Sequence, residues 1–302
     1  VQVYRWTSSV WEKVGAPLDG ANEGVLFGAS VAMDASGQIV AIGAPANILE
    51  GESVGSVSVF KHSSSSGWVS WPVENRGSNT IWGSLTGGAF GASVALSADA
   101  KVLAVASIGQ EDGSVSSSSV QVYRLSDLGY EPMGSPISGV SARDFFGRSL
   151  ALDRLGRTLA VGADGADSNG ENSGSVRIYK WTGSSWSQVG AEIRGEAQGD
   201  ASGTSVDLNA DGTVVIVGAP GNSDNGISSG HARVYAWNNS AWVQRGQDLD
   251  GENATDFTFT VARSDMEAAA AAPAAEEGDG ARSLTSSFIC CVGHVISKLE
   301  RI

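Results

Sequence analysis

Sulfur, histidine and proline are scarce in this chain. Of 302 residues two are cysteines and three are histidines. Cys290 and Cys291 are adjacent and stand near the C-terminal end, so the body of the sequence holds neither a disulfide framework nor a thiolate metal site. His62, His231 and His294 have no cysteine or carboxylate at metal-ligand spacing and read as exposed strand-end residues. With 7 prolines against 40 glycines, the turns must come from Gly, Asn, Asp and Ser. Basic residues are few, 19 against 33 acidic ones, for a net charge of −14. They are scattered singly with no stripe that could track phosphates, so no nucleic-acid partner is expected. No run approaches the roughly 20 apolar residues of a membrane-spanning helix, and no membrane insertion is expected. The chain opens on VQVYRW rather than on a signal-type segment, which reads as the middle of a repeat and hence as a fragment. No G-x-S-x-G elbow occurs, and no nucleophile stands out.

What the chain does have is a repeat. FGASVAMDASGQIVAIGAP recurs as FGASVALSADAKVLAVASI, FGRSLALDRLGRTLAVGAD and SGTSVDLNADGTVVIVGAP. The marking glycines are Gly28, Gly91, Gly147 and Gly203, at steps of 63, 56 and 56 residues, and a worn copy starts at Phe257. Tyr4, Phe60, Tyr123, Tyr179 and Tyr235 run in phase with them, as do Trp11, Trp68, Tyr130, Trp186 and Trp242. One insertion, around residues 72–82, accounts for the long step.

Each unit contains four β-like runs, A to D. The A to B links at 34–37, 153–156 and 209–212 end in glycines suited to the positive φ of a hairpin, with Ala100 in the second copy. In VQVYRW both faces carry bulk, as in a sheet packed on both sides. Strand A is small, as a crowded axis requires. These features predict an all-β fold, a β-propeller of four-stranded antiparallel blades over residues 1–265. A partial blade occupies 1–20, blades follow at about 21–87, 88–140, 141–196 and 197–252, and a worn strand ends the series at 253–265. Two closing strands from the termini would give five blades, with 289–293 as a candidate strand B of the shared one. Residues 266–282 are rich in Ala and Glu, and 266–302 reads as linker and tail.

Phe27-Gly28 followed by Gly43-Ala44-Pro45 resembles the FG-GAP repeats of the integrin α-subunit propeller, with Ala106-Ser107-Ile108 and Ser202 as departures. The resemblance implies a calcium loop between strands A and B. Only Asp207, Asn209 and Asp211 approach it; Val215 stands where the last carboxylate belongs. A D-G hairpin turn is the simpler reading, and no cofactor is expected.

The in-phase tryptophans read as packing residues, whereas Trp71 and Trp82, in or beside the insertion, read as free for a ligand. The B to C loops concentrate Glu111, Asp112, Asp167, Asn169, Glu171, Asn222 and Asp224 on one propeller face. Two glycosylation sequons, at Asn238 and Asn253, fit an extracellular or cell-surface setting. The sequence therefore leads us to expect a non-catalytic binding module, or one of the adhesion type that the integrin resemblance implies, presenting those loops to a protein or glycan partner. An accessory propeller of a larger enzyme is the alternative. A catalytic site in the central channel is not expected, since strands A offer mainly Ser, Val and Ala.

Overall fold

The computed structural model describes residues 1–71, 80–84, 87–109, 118–251 and, as backbone, 288–291. Four sheets share one plan. In blade 1, strand A is Ser30–Met33, B is Ile39–Ala44, C is Ser56–Ser63 and D is Gly67–Ser70. The same order holds in blade 2 (Phe90–Leu96, Val102–Ser107, Ser119–Ser126, Gly129–Pro132), in blade 3 (Ser149–Leu152, Thr158–Ala163, Ser175–Trp181, Trp186–Gln188) and in blade 4 (Ser205–Leu208, Val214–Ala219, His231–Trp237, Trp242–Gln244). All neighbours within a sheet are antiparallel.

The outer edge of each blade differs from a plain fourth strand. Strand D pairs with the far half of C, and a short strand after it returns to the near half: Thr80–Trp82, Ile137–Ser138, Ile193–Arg194 and Leu249–Asp250. Glycines at φ near +75°, such as Gly134, Gly190 and Gly246, make the bend between the two pieces. This corrects the reading of Trp71 and Trp82. Trp71 occupies the last position of the first piece and donates its amide to Val59, as Val189 does to Ile178. Trp82 pairs with Ser56 in the second piece. Both are half-buried repeat positions rather than parts of an exposed insertion.

Strand B is the buried centre of every blade, and its alternation explains the stacking. Ala41 packs into the cluster shared with Phe90 and Val94 of blade 2, while Val40 and Ile42 face Val3 and Val14 of the N-terminal strands. Leu159 and Val161 face blade 2, and Ala160 faces blade 4. Each sheet is thus a wedge with apolar faces on both sides, which a propeller satisfies. Strands A of successive blades pack against one another around the axis. On one end of that axis the A to B turns form a backbone chain, Ala35 to Ala98, Ala98 to Arg154 and Arg154 to Ala210, each 3.0 to 3.1 Å.

At the terminal sheet, Gln2–Trp6 pairs with Trp11–Lys13 on one edge and antiparallel with Phe288–Cys291 on the other, Tyr4 opposite Ile289. That second edge is where strand B pairs with C in the complete blades, and it is the place expected for 289–293. The expected worn strand at 253–265 and most of the expected tail lie outside the described residues.

Candidate functional site

The FG-GAP motif turns out to be a seam. The FG glycines Gly28, Gly91, Gly147 and Gly203 have φ from 90 to 97°. Ser30 of blade 1 and Ser149 of blade 3 donate their hydroxyls at 2.7 Å to the carbonyls of Gly91 and Gly203 in the next blade. The GAP glycines Gly43 and Gly162 lie so close to those carbonyls that a Cβ would stand 2.1 and 2.0 Å from the oxygen. The preceding phenylalanines, Phe27, Phe90 and Phe146, meet Phe60, Tyr123 and Tyr179 of their own blades edge-on at 6.3 to 6.4 Å. The strand D tryptophans lock the rim: Trp68, Trp186 and Trp242 donate Nε1–H to Val14, Met133 and Val189 of the preceding blade at 2.7 to 3.0 Å.

The residue before each F-G pair takes the left-handed conformation without being glycine: Leu26, Ala89, Phe145 and Ala201, at φ 55, 41, 51 and 53°. Such a backbone costs about 1 to 3 kcal/mol per residue and persists only where neighbours impose it. Here it turns Leu26 and Phe145 toward the channel mouth, opposite the A to B turns. A cavity of about 470 Å³ opens there, lined among others by Leu26, Pro45, Ala89, Ile108, Phe145 and Arg148. Pro45 and Ile108 are the third residues of the GAP segments of blades 1 and 2. In blade 3 that position is Asp164, set beside the cavity. Arg148 Nε stands 3.4 Å from Asp164 Oδ2, and Thr204 of blade 4 donates to the same oxygen at 3.4 Å. Asp164 Oδ1 is buried with no hydrogen-bond partner among the described residues. Burial pushes the Asp164 carboxyl above its ordinary range, with Arg148, Thr204 and the backbone amides of Asp164 and Gly165 pulling the other way. An apolar wall, a guanidinium and a carboxylate with a raised proton affinity therefore meet at one end of the axis. Neither group lies in a strand A, whose Ser, Val and Ala gave no reason to expect a channel site: Arg148 directly precedes strand A of blade 3, and Asp164 directly follows its strand B.

Most of the loop residues expected to face a partner are occupied within their loops or by the connection that follows the outer strand piece Ile193–Arg194. Asp167 accepts the Asn172 amide at 2.8 Å; Asn169 donates to the carbonyls of Gly195 and Glu196 at 3.1 and 2.6 Å. Glu171 meets Gln198 at 3.4 Å, and buried Asn222 accepts the amide of Asp224 at 3.0 Å. Glu111 and Asp112 lie outside the described residues. In the calcium-like turn, Asn209 Oδ1 accepts the amides of Thr213 and Val214, both at 2.9 Å, and Asp211 accepts from Thr213. Asp34 and Asp153 bind the amides of their own turns in the same way. Asp207 lies in strand A of blade 4, opposite Ile216.

One grouping escaped the sequence. His231 is buried, not exposed, and lies with Glu196, Asp224 and Asp248, one ligand atom of each within 4.8 Å of the others. The partners come from three separate connections, so no local spacing could have announced them.

A family model for the FG-GAP repeat matches residues 138–179. No curated protein matches the chain. Solved structures are similar in fold: the periplasmic gluconolactonase PpgL of Pseudomonas aeruginosa, 18% identical, covers 82% of this chain with a TM-score of 0.50. A Bacteroides uniformis protein described as a 6-phosphogluconolactonase, 12% identical, covers 87% of this chain and 82% of its own, TM-score 0.48. The propeller domain of the Trilobed protease from Pyrococcus furiosus, 14% identical, covers 72% and 56%, TM-score 0.42. The chain spans 63% of the length of the gluconolactonase chain. The gluconolactonase corrects the expectation of a non-catalytic, adhesion-type module: a propeller of similar fold is an enzyme, and the fold does not make the chain non-catalytic. By its repeat and its architecture the chain is an FG-GAP-type β-propeller.

Proposed function

We propose that the chain is a hydrolase of small cyclic esters working at the mouth of the axial channel. The observation that carries this reading is Asp164: a carboxylate in place of the GAP proline, with one buried unpartnered oxygen, set against Arg148 on the wall of the cavity. The substrate class is taken from the gluconolactonase of similar fold; the residues come from the cavity itself.

A lactone ring would lie on Phe145, Leu26 and Ile108 with its carbonyl oxygen toward the Arg148 guanidinium. Asp164 Oδ2, the oxygen beside Arg148 on the cavity wall, accepts from a water at the ring carbonyl. Asp164 takes a proton from that water as the oxygen–carbon bond forms, and Arg148 balances the charge gathering on the carbonyl oxygen. Collapse breaks the ring C–O bond. The departing alkoxide takes the proton back from Asp164, so water and lactone give a hydroxy acid and the enzyme is restored. A raised proton affinity suits this role, because it makes the carboxylate a stronger base near neutral pH.

The test is lactone opening by the full chain, followed as acid release at pH 7 with glucono-δ-lactone and γ- and δ-alkyl lactones. Asp164→Asn should lower kcat by about 10²- to 10⁴-fold, the usual worth of a positioned general base. Arg148→Ala should raise KM as well. A wild-type chain that opens no lactone above the buffer rate ends the proposal.

A further inference from the structure

We propose that a zinc-class divalent cation binds between blades 3 and 4, on His231, Asp248, Glu196 and Asp224. His231 opens strand C of blade 4 and is 2% exposed. Its Nδ1 has no hydrogen-bond partner among the described residues and points toward Asp248, whose Oδ2 is 4.0 Å away. Glu196 follows the outer strand piece Ile193–Arg194 of blade 3, Asp224 lies in the B to C loop of blade 4, and Asp248 precedes Leu249–Asp250. Asp224 is positioned by Asn222, which accepts its amide and is itself buried.

The repeat supplies an internal control. Fifty-six residues earlier, blade 3 has the same frame with Arg177 and Glu192 where blade 4 has Arg233 and Asp248. There Arg177 places Nε and Nη2 on one oxygen of Glu192 at 3.1 and 3.0 Å, and the ion pair is closed. The three other positions in blade 3 are Ser175, Ser168 and Val140. In blade 4 they are His231, Asp224 and Glu196. Three positions that carry no metal-ligating side chain thus become ligand types together, around a buried imidazole nitrogen that nothing among the described residues satisfies.

Arg233 already bonds Glu196 and Asp248 and is the cation present. It does not complete the site: three carboxylates against one guanidinium leave two negative charges, and Arg233 Nε is itself buried without a hydrogen-bond partner among the described residues. A tetrahedral zinc shell with bonds of about 2.0 to 2.2 Å spaces its ligand atoms at roughly 3.4 Å. The four atoms must draw in from their present spread, which is at most 4.8 Å. Glu196 and Asp224 are exposed, and zinc would draw them from their present contacts, Glu196 with Arg233 and Asp224 with the Asn222 side-chain amide at 3.5 Å, while Arg233 turns to the outer carboxylate oxygens as a supporting partner. One imidazole among carboxylates suits zinc better than calcium, which takes oxygen ligands alone.

The experiment is titration of zinc chloride into the chelator-stripped full chain, followed by calorimetry and by melting temperature, with cobalt(II) absorption as a report of coordination geometry. One equivalent should bind, raise the melting temperature and give tetrahedral cobalt bands. Asp224→Asn and Glu196→Gln change exposed side chains and should each weaken zinc at least ten-fold. His231→Gln should abolish the cobalt bands, and the double variant Cys290→Ser, Cys291→Ser should bind as the wild type does. No saturable uptake overturns the proposal. So does uptake unchanged in both carboxylate variants, or uptake lost when only the cysteines are replaced.

Discussion

Ser149 of blade 3 hydrogen-bonds the carbonyl oxygen of Gly203 in blade 4 at 2.7 Å, and the same oxygen would stand 2.0 Å from a methyl carbon placed on Gly162. Serine and glycine therefore serve one contact from two adjacent strands. Gly162→Ala forces the two blades apart and should destabilise the chain by about 2 kcal/mol or more, in the range of overpacked cores. Ser149→Ala removes a single hydrogen bond and should cost about 1 kcal/mol. Urea unfolding of the two variants checks the ranking. Equal losses would show that the close approach is not what holds this seam.

The tryptophans make a second, separable contribution at the rim. Trp186→Phe keeps most of the apolar area but leaves the Met133 carbonyl without its donor, which should cost about 1 kcal/mol. Trp242→Phe should do the same through Val189. Trp11 is 41% exposed and stacks on Trp6 within its own hairpin, so Trp11→Phe should change stability by much less. Denaturant midpoints of the three variants give the comparison.

Recurrence made the blades readable before any coordinates. Gly28, Gly91, Gly147 and Gly203 mark strand starts because each must reach a φ near +90°, and the indoles of Trp68, Trp186 and Trp242 recur because each reaches a carbonyl one blade back. These are local demands repeated at a fixed step. The split outer strand was hidden because the piece around Ile193 is two residues long and has no pattern of its own. Asp164 stood in plain view as a broken GAP, yet its meaning depends on Arg148, which reaches it through the A to B pairing of blade 3, and on Thr204, which meets it only when blade 4 packs on blade 3. His231 was misread for a related reason: its carboxylates arrive from connections far apart in the chain.

The Arg177–Glu192 pair gives a pH dependence of the usual sign. Burial raises the Glu192 carboxyl, but the hydrogen bonds and charge of Arg177 outweigh it, and the net shift is downward. A carboxylate held below its ordinary range stabilises the fold above the unfolded-state pKa, and that stability is lost as pH falls through the folded-state value. Glu192→Gln should therefore cost on the order of 2 kcal/mol at pH 7 and progressively less in acid. Melting curves of the variant and the wild type should converge toward pH 3. A gap that stays constant with pH would show that the carboxylate charge contributes nothing.

Asp164 should behave in the opposite sense. Its carboxyl is raised, first by burial, against the opposing pull of Arg148. The ionised form is then disfavoured in the folded state, and the fold is weakened at every pH above the raised value. Stability is recovered as pH falls through that value toward the ordinary carboxylate range, below which both states are protonated and the difference vanishes. Asp164→Asn removes the charge and keeps the shape. Arg148 loses its partner, but its side chain is 56% exposed and water replaces the contact at little cost. The variant should therefore melt higher than the wild type at pH 7 and at the same temperature near pH 3, while losing lactone opening. A carboxylate kept at a stability cost beside a cavity is what a working acid–base group looks like. If Asp164→Asn melts lower at pH 7, the attraction of Arg148 outweighs burial, and Asp164 is a structural ion-pair partner instead.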